Sequence, residues 1–90
     1  MVEMTVTKAE ISAMFDALLD GTRSREEIAR WAQERRRADD QRMLVYEPTA
    51  AESQIWEGIL YLIGVDTEVA PGSYLFSTEA FREFREQHAL

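Results

Sequence analysis

The fold is decided by residues 7–21, which read TKAEISAMFDALLDG. Thr7 and Glu10 form a capping box, in which two side chains satisfy the first backbone N–H groups of a helix. Gly21 is placed to end that helix. Between them, apolar residues recur every three or four positions, at Ile11, Met14, Phe15, Leu18 and Leu19. This stretch predicts an amphipathic helix over residues 8–20.

Two further capping boxes follow, each a serine or threonine with a glutamate three residues later. They predict helices over residues 24–42 and 50–64, and a phenylalanine-bearing stripe predicts a fourth helix over 78–88. A proline–glycine turn signal also allows a short β-hairpin near residues 67–76. We therefore expect an all-α fold, a compact bundle of about four helices in a single domain over residues 1–90.

The helix that begins at the Thr49–Glu52 capping box is apolar around more than half of its surface. Such a helix contacts neighbours on two sides and is central to a bundle. Gly58 lies inside it at a cost of about 1 kcal/mol relative to alanine, so we expect a large side chain such as Trp31 to approach closely there. Trp31 and Trp56 both fall on apolar stripes and are expected in the core.

The composition argues against catalysis. The chain has no cysteine, which excludes disulfides, thiolate metal sites and cysteine nucleophiles. The single histidine, His88, stands near the end of the sequence, where it is a poor choice for a base or a metal ligand. Asp39 and Asp40 are adjacent on a helix, so their carboxylates do not converge. We expect a protein that is not an enzyme and that has no metal and no cofactor.

Charge is distributed unevenly along the chain, whose net charge is −7. Residues 23–42, the basic segment, hold seven of the ten Lys and Arg residues. Residues 43–81, the cation-free segment, hold six acids and no Lys or Arg. An uncompensated negative surface speeds association with a cationic partner and orients it, and it opposes binding to nucleic acid or anionic membranes. The alternative is a solvated acidic face that only aids solubility.

Acids in the connections of the cation-free segment are the first candidates for partner binding, because a partner reaches loops most easily. On the third helix we rank Glu57 above Glu52, whose carboxylate is expected to be occupied by its own capping box. Two tyrosines also fall in connections, where an exposed aromatic side chain can anchor a partner. The predicted partner-binding residues are Glu47, Asp66, Glu68, Glu57, Tyr46 and Tyr74.

The run Arg35-Arg36-Arg37 raises the alternative of nucleic-acid binding. Consecutive helix residues point about 100° apart, and acids stand one turn away, so we expect local ion pairs such as Arg36 with Asp40. A helix–turn–helix that begins at Ser24 needs a second helix start before Arg42, and none is present. A DNA-binding regulator is therefore the less favoured function.

Several stretches of the sequence resemble small acidic bacterial immunity-type proteins, the helical partners of colicin-like and contact-dependent inhibition toxins. The first stretches are Leu18-Leu19-Asp20-Gly21 and Ser24-Arg25-Glu26-Glu27 with Trp31. The later ones resemble small bacterial proteins of similar size and are Trp56-Glu57-Gly58-Ile59, Gly64-Val65-Asp66 and Tyr74-Leu75-Phe76-Ser77. The resemblance implies an inhibitor that caps the active site or substrate groove of a toxin nuclease, but it carries no contact residue over to this chain.

We therefore predict a toxin-neutralising immunity protein that binds a cationic protein partner, a toxin domain, and binds neither nucleic acid nor membrane. The sequence has no recognisable secretory leader or membrane-spanning run, so we expect a cytoplasmic location. The alternative is a non-enzymatic adaptor or a homodimeric structural protein, whose signature would be exposed apolar surface. A DNA-binding regulator comes third.

Overall fold

Four helices and four short strands account for most of residues 3–90, the part of the chain that the computed structural model describes. The helices are α1 (Lys8–Asp20), α2 (Arg25–Asp40), α3 (Glu52–Ile63) and α4 (Thr78–Gln87). The strands are β1 (Met4–Thr7), β2 (Leu44–Glu47), β3 (Glu68–Ala70) and β4 (Ser73–Tyr74). Among the described residues, no helix is long and apolar enough to cross a lipid bilayer.

The start signals predicted for α1 and α2 are confirmed. Thr7 accepts a hydrogen bond from the backbone N–H of Glu10 at 3.0 Å, and the Glu10 carboxylate accepts one from the Thr7 backbone at 3.0 Å. The same reciprocal pair joins Ser24 and Glu27 at the start of α2. Gly21 ends α1 with a φ of 73°, a left-handed conformation that glycine adopts without the steric cost of a Cβ atom.

The capping box predicted at the start of α3 is wrong. A 3-10 turn over Thr49–Ala51 precedes the helix, and the Ala51 N–H bonds to the Pro48 carbonyl at 2.9 Å. No side chain caps α3. The tighter turn lets the backbone satisfy its own N–H group, so the Glu52 carboxylate is not occupied in the way that the sequence suggested.

The all-α prediction is wrong in one respect, because β1 and β2 form a parallel two-stranded sheet. Parallel strands require a crossover connection, which here consists of α1 and α2 together. Val6 pairs with Tyr46 in the register of the sheet, and both side chains are buried. The molecule is therefore a mostly helical α/β structure in which the ladder joins the start of α1 to the end of α2.

The hairpin allowed by the proline–glycine turn signal is confirmed near residues 67–76. Strands β3 and β4 are antiparallel, and Gly72 in the turn has a φ of 79°. The Leu75 N–H donates to the Thr67 carbonyl at 2.8 Å just beyond the paired residues. Its strands are only three and two residues long, so the hairpin depends on other contacts for its position.

The buried apolar side chains form one cluster, in which α3 packs against α2 and α1. Gly58 is the point of closest approach, but the neighbour is not Trp31. A Cβ atom added at Gly58 would lie 2.8 Å from Ile11 Cγ2 and 3.3 Å from Leu90 Cδ1. Trp31 and Trp56 are only partly buried at the edge of the cluster, so the expectation that both lie in the core is wrong.

Candidate functional site

The exposed face of α2 carries arginines of the basic segment. Arg30 and Arg37 are seven residues apart, so their directions differ by only about 20° around the helix, and both are exposed. Arg36 is exposed at the edge of the same face. Arg23 and Arg42 are exposed just before and just after the helix. We call these five residues the arginine face.

Two acids of α2 accept hydrogen bonds from tyrosines outside the helix, one in the hairpin and one in β2. The Tyr74 hydroxyl donates to Glu26 Oε1 at 2.7 Å. This bond lowers the pKa of Glu26 and raises the pKa of Tyr74. The Tyr46 hydroxyl donates to Asp39 Oδ1 at 3.0 Å. The pKa of Tyr46 is raised far above its ordinary value. Burial of the phenol is the largest cause, and the hydrogen bond to Asp39 is the second.

Two more acids of α2 are engaged within the helix. Glu27 accepts the backbone N–H of its capping box at 3.2 Å. Glu34 pairs with Arg35 at 3.4 Å, and the Arg35 guanidinium also lies 4.3 Å from the centre of the Trp31 ring. Of the acids on α2, only Asp40 makes no side-chain hydrogen bond or ion pair with another described residue.

The arginine face makes no side-chain hydrogen bond or ion pair within residues 3–90, where the ion pairs involve other cations. The expected pairing of Arg36 with Asp40 is therefore wrong. In that pair the cation stands N-terminal to the acid, which is the weaker order for a helical ion pair. The better ordered pair, Glu26 with Arg30, is also absent, and Glu26 Oε1 instead accepts the hydroxyl of Tyr74. The guanidinium donors of the arginine face are consequently available to a partner.

Arg25 has a different role, because it holds the hairpin segment against the first turn of α2. Its guanidinium donates to the carbonyl of Val65 at 3.2 Å and to the carbonyl of Phe76 at 2.5 Å. The same group lies 4.2 Å from the centre of the Tyr74 ring and 4.8 Å from that of Phe81. Arg25 therefore has a structural role. Neither its position in the sequence nor the charges near it predict that role.

The residues predicted for partner binding differ in their surroundings, although Glu68 and Tyr74 are register partners in the hairpin. Glu57 pairs with His88 at 3.0 Å, and Glu68 accepts the N–H of Gly72 in its own hairpin at 2.9 Å. Tyr46 is buried rather than exposed. Glu47, Glu57 and Glu68 are exposed, whereas Asp66 and Tyr74 are half-buried. Whether any of the six contacts a partner stays a prediction.

The surface also has an apolar groove of about 490 Å³ between α3 and the segment that leads through α4. Leu60, Tyr61, Phe76 and Phe84 line it, with Glu57 and His88 among the lining residues. The exposed large apolar side chains all fall within residues 60–75; they are Leu60, Val69 and Leu75. No group of three His, Asp or Glu side chains in residues 3–90 is arranged to hold a metal ion.

Together these features define a small, mostly helical domain, acidic overall, in which seven of the ten Lys and Arg residues cluster on and beside one helix, α2. A family model described as YxzC DNA-binding protein matches residues 3–88. The chain therefore belongs to the YxzC DNA-binding protein family, which is described by DNA binding and not by a reaction. No curated protein and no solved structure shows significant similarity to it.

The family membership overturns the immunity-protein prediction. The resemblance to toxin-neutralising proteins, the cationic protein partner and the exclusion of nucleic acid are all wrong, and the less favoured DNA-binding function fits better. The prediction gave most weight to the net charge and to the cation-free segment, whereas nucleic acid responds to the local field of the surface that it meets. The clustering of arginines in the basic segment was the available signal.

Proposed function

We propose that the chain binds duplex DNA through the arginine face. The observation that carries this proposal is the asymmetry of α2: its acids are mostly engaged, while five arginines on and beside it have no partner among residues 3–90. Guanidinium groups bind phosphates in fork geometry and also contact the edges of guanine. The proposal is in line with the DNA binding that the family description prints.

The order of the elements also favours α2 as the DNA-contacting helix. It follows α1 after a short turn that contains Gly21 in the left-handed conformation. Two helices joined by a turn of three or four residues, often with glycine, are typical of helix–turn–helix proteins, whose second helix enters the major groove. The sequence interpretation searched for a second helix after Ser24, but in this fold the helix that Ser24 begins is itself the second of the pair.

The negative net charge limits the strength of this binding. DNA repels a chain of net charge −7 as a whole, so the arginine face must act at short range. Neutralising each phosphate contributes about −0.9 to the slope of log K against log salt. Five arginines therefore set an upper limit of about −4.5 for that slope, and we expect modest affinity that falls steeply as salt is raised.

Fluorescence anisotropy of a labelled random-sequence duplex at low and at physiological salt tests the proposal. Arg36→Gln should weaken binding and make the salt slope shallower by about 0.9, the contribution of one phosphate. Arg82→Gln is the matched control, because Arg82 is also an exposed helical arginine but lies on α4. A double variant, Arg30→Gln with Arg37→Gln, should weaken binding further.

The outcomes discriminate between functions. If Arg36→Gln and Arg82→Gln lose DNA affinity equally, binding depends on the overall charge of the protein and not on the arginine face. Absence of binding to any duplex at low salt would contradict DNA binding by this chain. Tighter binding to a single-stranded or double-stranded RNA of the same sequence would assign the arginine face to RNA instead.

A further inference from the structure

The arginine face divides into a centre and a margin. Taking 100° per residue, Arg30 and Arg37 lie within about 20° of each other, and Gln33 lies within about 60° of both. Arg30 and Arg37 are exposed and lie near the midline of the exposed surface of α2, opposite the buried Ile28, and the half-buried Gln33 lies beside that midline. Gln33 makes no side-chain hydrogen bond with another described residue, so its amide group is available as donor and acceptor.

The remaining arginines, Arg23, Arg36 and Arg42, lie at the edge and ends of α2, where a helix in the major groove approaches the phosphates. Arg36 is displaced by about 100° from Arg37, at one edge of the exposed surface. Arg23 and Arg42 stand at opposite ends of a helix of 16 residues, which is about 24 Å long. A helix in the major groove, about 12 Å wide, brings its midline to the base edges and its edges and ends to the two backbones.

The chemistry of the central side chains is specific. Arginine donates two parallel hydrogen bonds to the O6 and N7 atoms of guanine, and glutamine pairs with the N6 and N7 atoms of adenine. Their spacing of three and four residues places one residue on each of three successive helical turns. Recognition helices use positions about three residues apart to read successive bases.

We infer that α2 reads DNA sequence, with Arg30 and Arg37 each contacting a guanine and Gln33 contacting an adenine between them, within about four base pairs. Arg23, Arg36 and Arg42 position the helix on the phosphates and carry no sequence information. This inference rests on the proposed function, and it adds a class of target: duplexes with a short purine-rich recognition element in the major groove.

Selection from a pool of randomised duplexes by the intact protein tests the inference. The wild-type protein should enrich an element that holds two guanines and an adenine. On that element, Gln33→Ala should reduce the preference for adenine over the other bases by about tenfold and leave the guanine positions unchanged. Gln87→Ala is the matched control, since Gln87 is an exposed glutamine on α4.

The complementary variant is Arg36→Gln, which should weaken binding to all duplexes alike and leave the enriched element unchanged. Duplex binding without any enriched element would overturn the inference while the proposed function stands. An enriched element that is the same for Arg30→Gln, Gln33→Ala, Arg37→Gln and wild type would also overturn it. No retention of DNA from the pool would overturn both. Circular dichroism of each variant confirms that α2 is still folded.

Discussion

The hydroxyl of Tyr74 donates a hydrogen bond to Glu26 Oε1 at 2.7 Å, across 48 residues of sequence. Tyr74 ends the hairpin and Glu26 lies in the first turn of α2. The bond therefore joins the cation-free segment to the helix that carries the arginine face. The bond lowers the pKa of Glu26, so this carboxylate keeps its negative charge, one turn before Arg30, while Tyr74 occupies one of its oxygens.

Tyr74→Phe should raise the pKa of Glu26 towards its ordinary value of 4.5, because the hydrogen bond from Tyr74 is the main cause of its lowering. A group with a lowered folded-state pKa stabilises the fold above its ordinary pKa, and that contribution is lost as the pH falls through the lowered value. NMR titration of the Glu26 carboxyl carbon measures the change. Tyr46→Phe is the control and should leave the Glu26 titration as it is.

Alkaline pH should destabilise the protein, because the pKa values of Tyr46, Tyr61 and Tyr74 are all raised from 10.0. Burial is the main cause for Tyr46 and Tyr61, and the hydrogen bond to Glu26 is the main cause for Tyr74. The unfolded chain ionises first, so stability is fully present below pH about 10 and falls above it. Tyrosinate absorbance should rise together with unfolding, and a rise at pH 10 in a fully folded protein would contradict this.

Gly58→Ala should lower the free energy of unfolding by up to about 2 kcal/mol. The new methyl group would meet Ile11 Cγ2, a branch close to the backbone of a fully buried side chain, and overpacking costs about 1–3 kcal/mol. The gain in helix propensity, about 1 kcal/mol, offsets part of that cost. Urea denaturation measures the effect. Gly64→Ala is the control, because its Cβ would approach no atom closer than 3.8 Å.

Arg25→Lys should loosen the hairpin although it keeps the charge. A lysine ammonium cannot span the carbonyls of Val65 and Phe76 while it stacks on the Tyr74 ring, because it lacks the planar fork of arginine. We expect a loss of about 1–3 kcal/mol of stability, the cost of leaving such carbonyls without partners. Faster amide exchange at Leu75, whose N–H bonds to Thr67, would locate the loss. Unchanged exchange there would contradict the role given to Arg25.

The helices were predictable because their signals are local. The boxes at Thr7 and Ser24 and the stop at Gly21 act within a few residues of the sequence, and the predicted helix limits agree with the structure to within a few residues. The β1–β2 ladder was not predictable from four-residue strands, since a strand this short shows too little alternation. Its partners stand 40 residues apart, and only the packed helices between them bring them together.

The site was harder to predict than the fold, for a related reason. Charge neighbours on α2 suggested that Arg36 and Asp40 neutralise each other, and local spacing contains no information against it. The structure instead engages two other acids of α2: Tyr74, from the hairpin, binds Glu26, and Tyr46, from β2, binds Asp39. Those contacts depend on tertiary structure, so the sequence indicated where the arginines cluster but not which of them keep their donors for a partner.

The ladder between β1 and β2 bears on how the protein is best produced and attached. Met4 donates its backbone N–H to the carbonyl of Met43 at 2.8 Å, so the start of β1 lies next to Arg42, a member of the arginine face. A polyhistidine tag joined there would be mostly neutral at pH 7 and cationic in mildly acidic buffers, because histidine has a pKa of about 6.5, so its charge would add to DNA binding at low pH. A tag joined directly after Leu90 would disturb the core, because Leu90 is buried against Gly58. A cleavable tag that is removed before any binding assay avoids both effects.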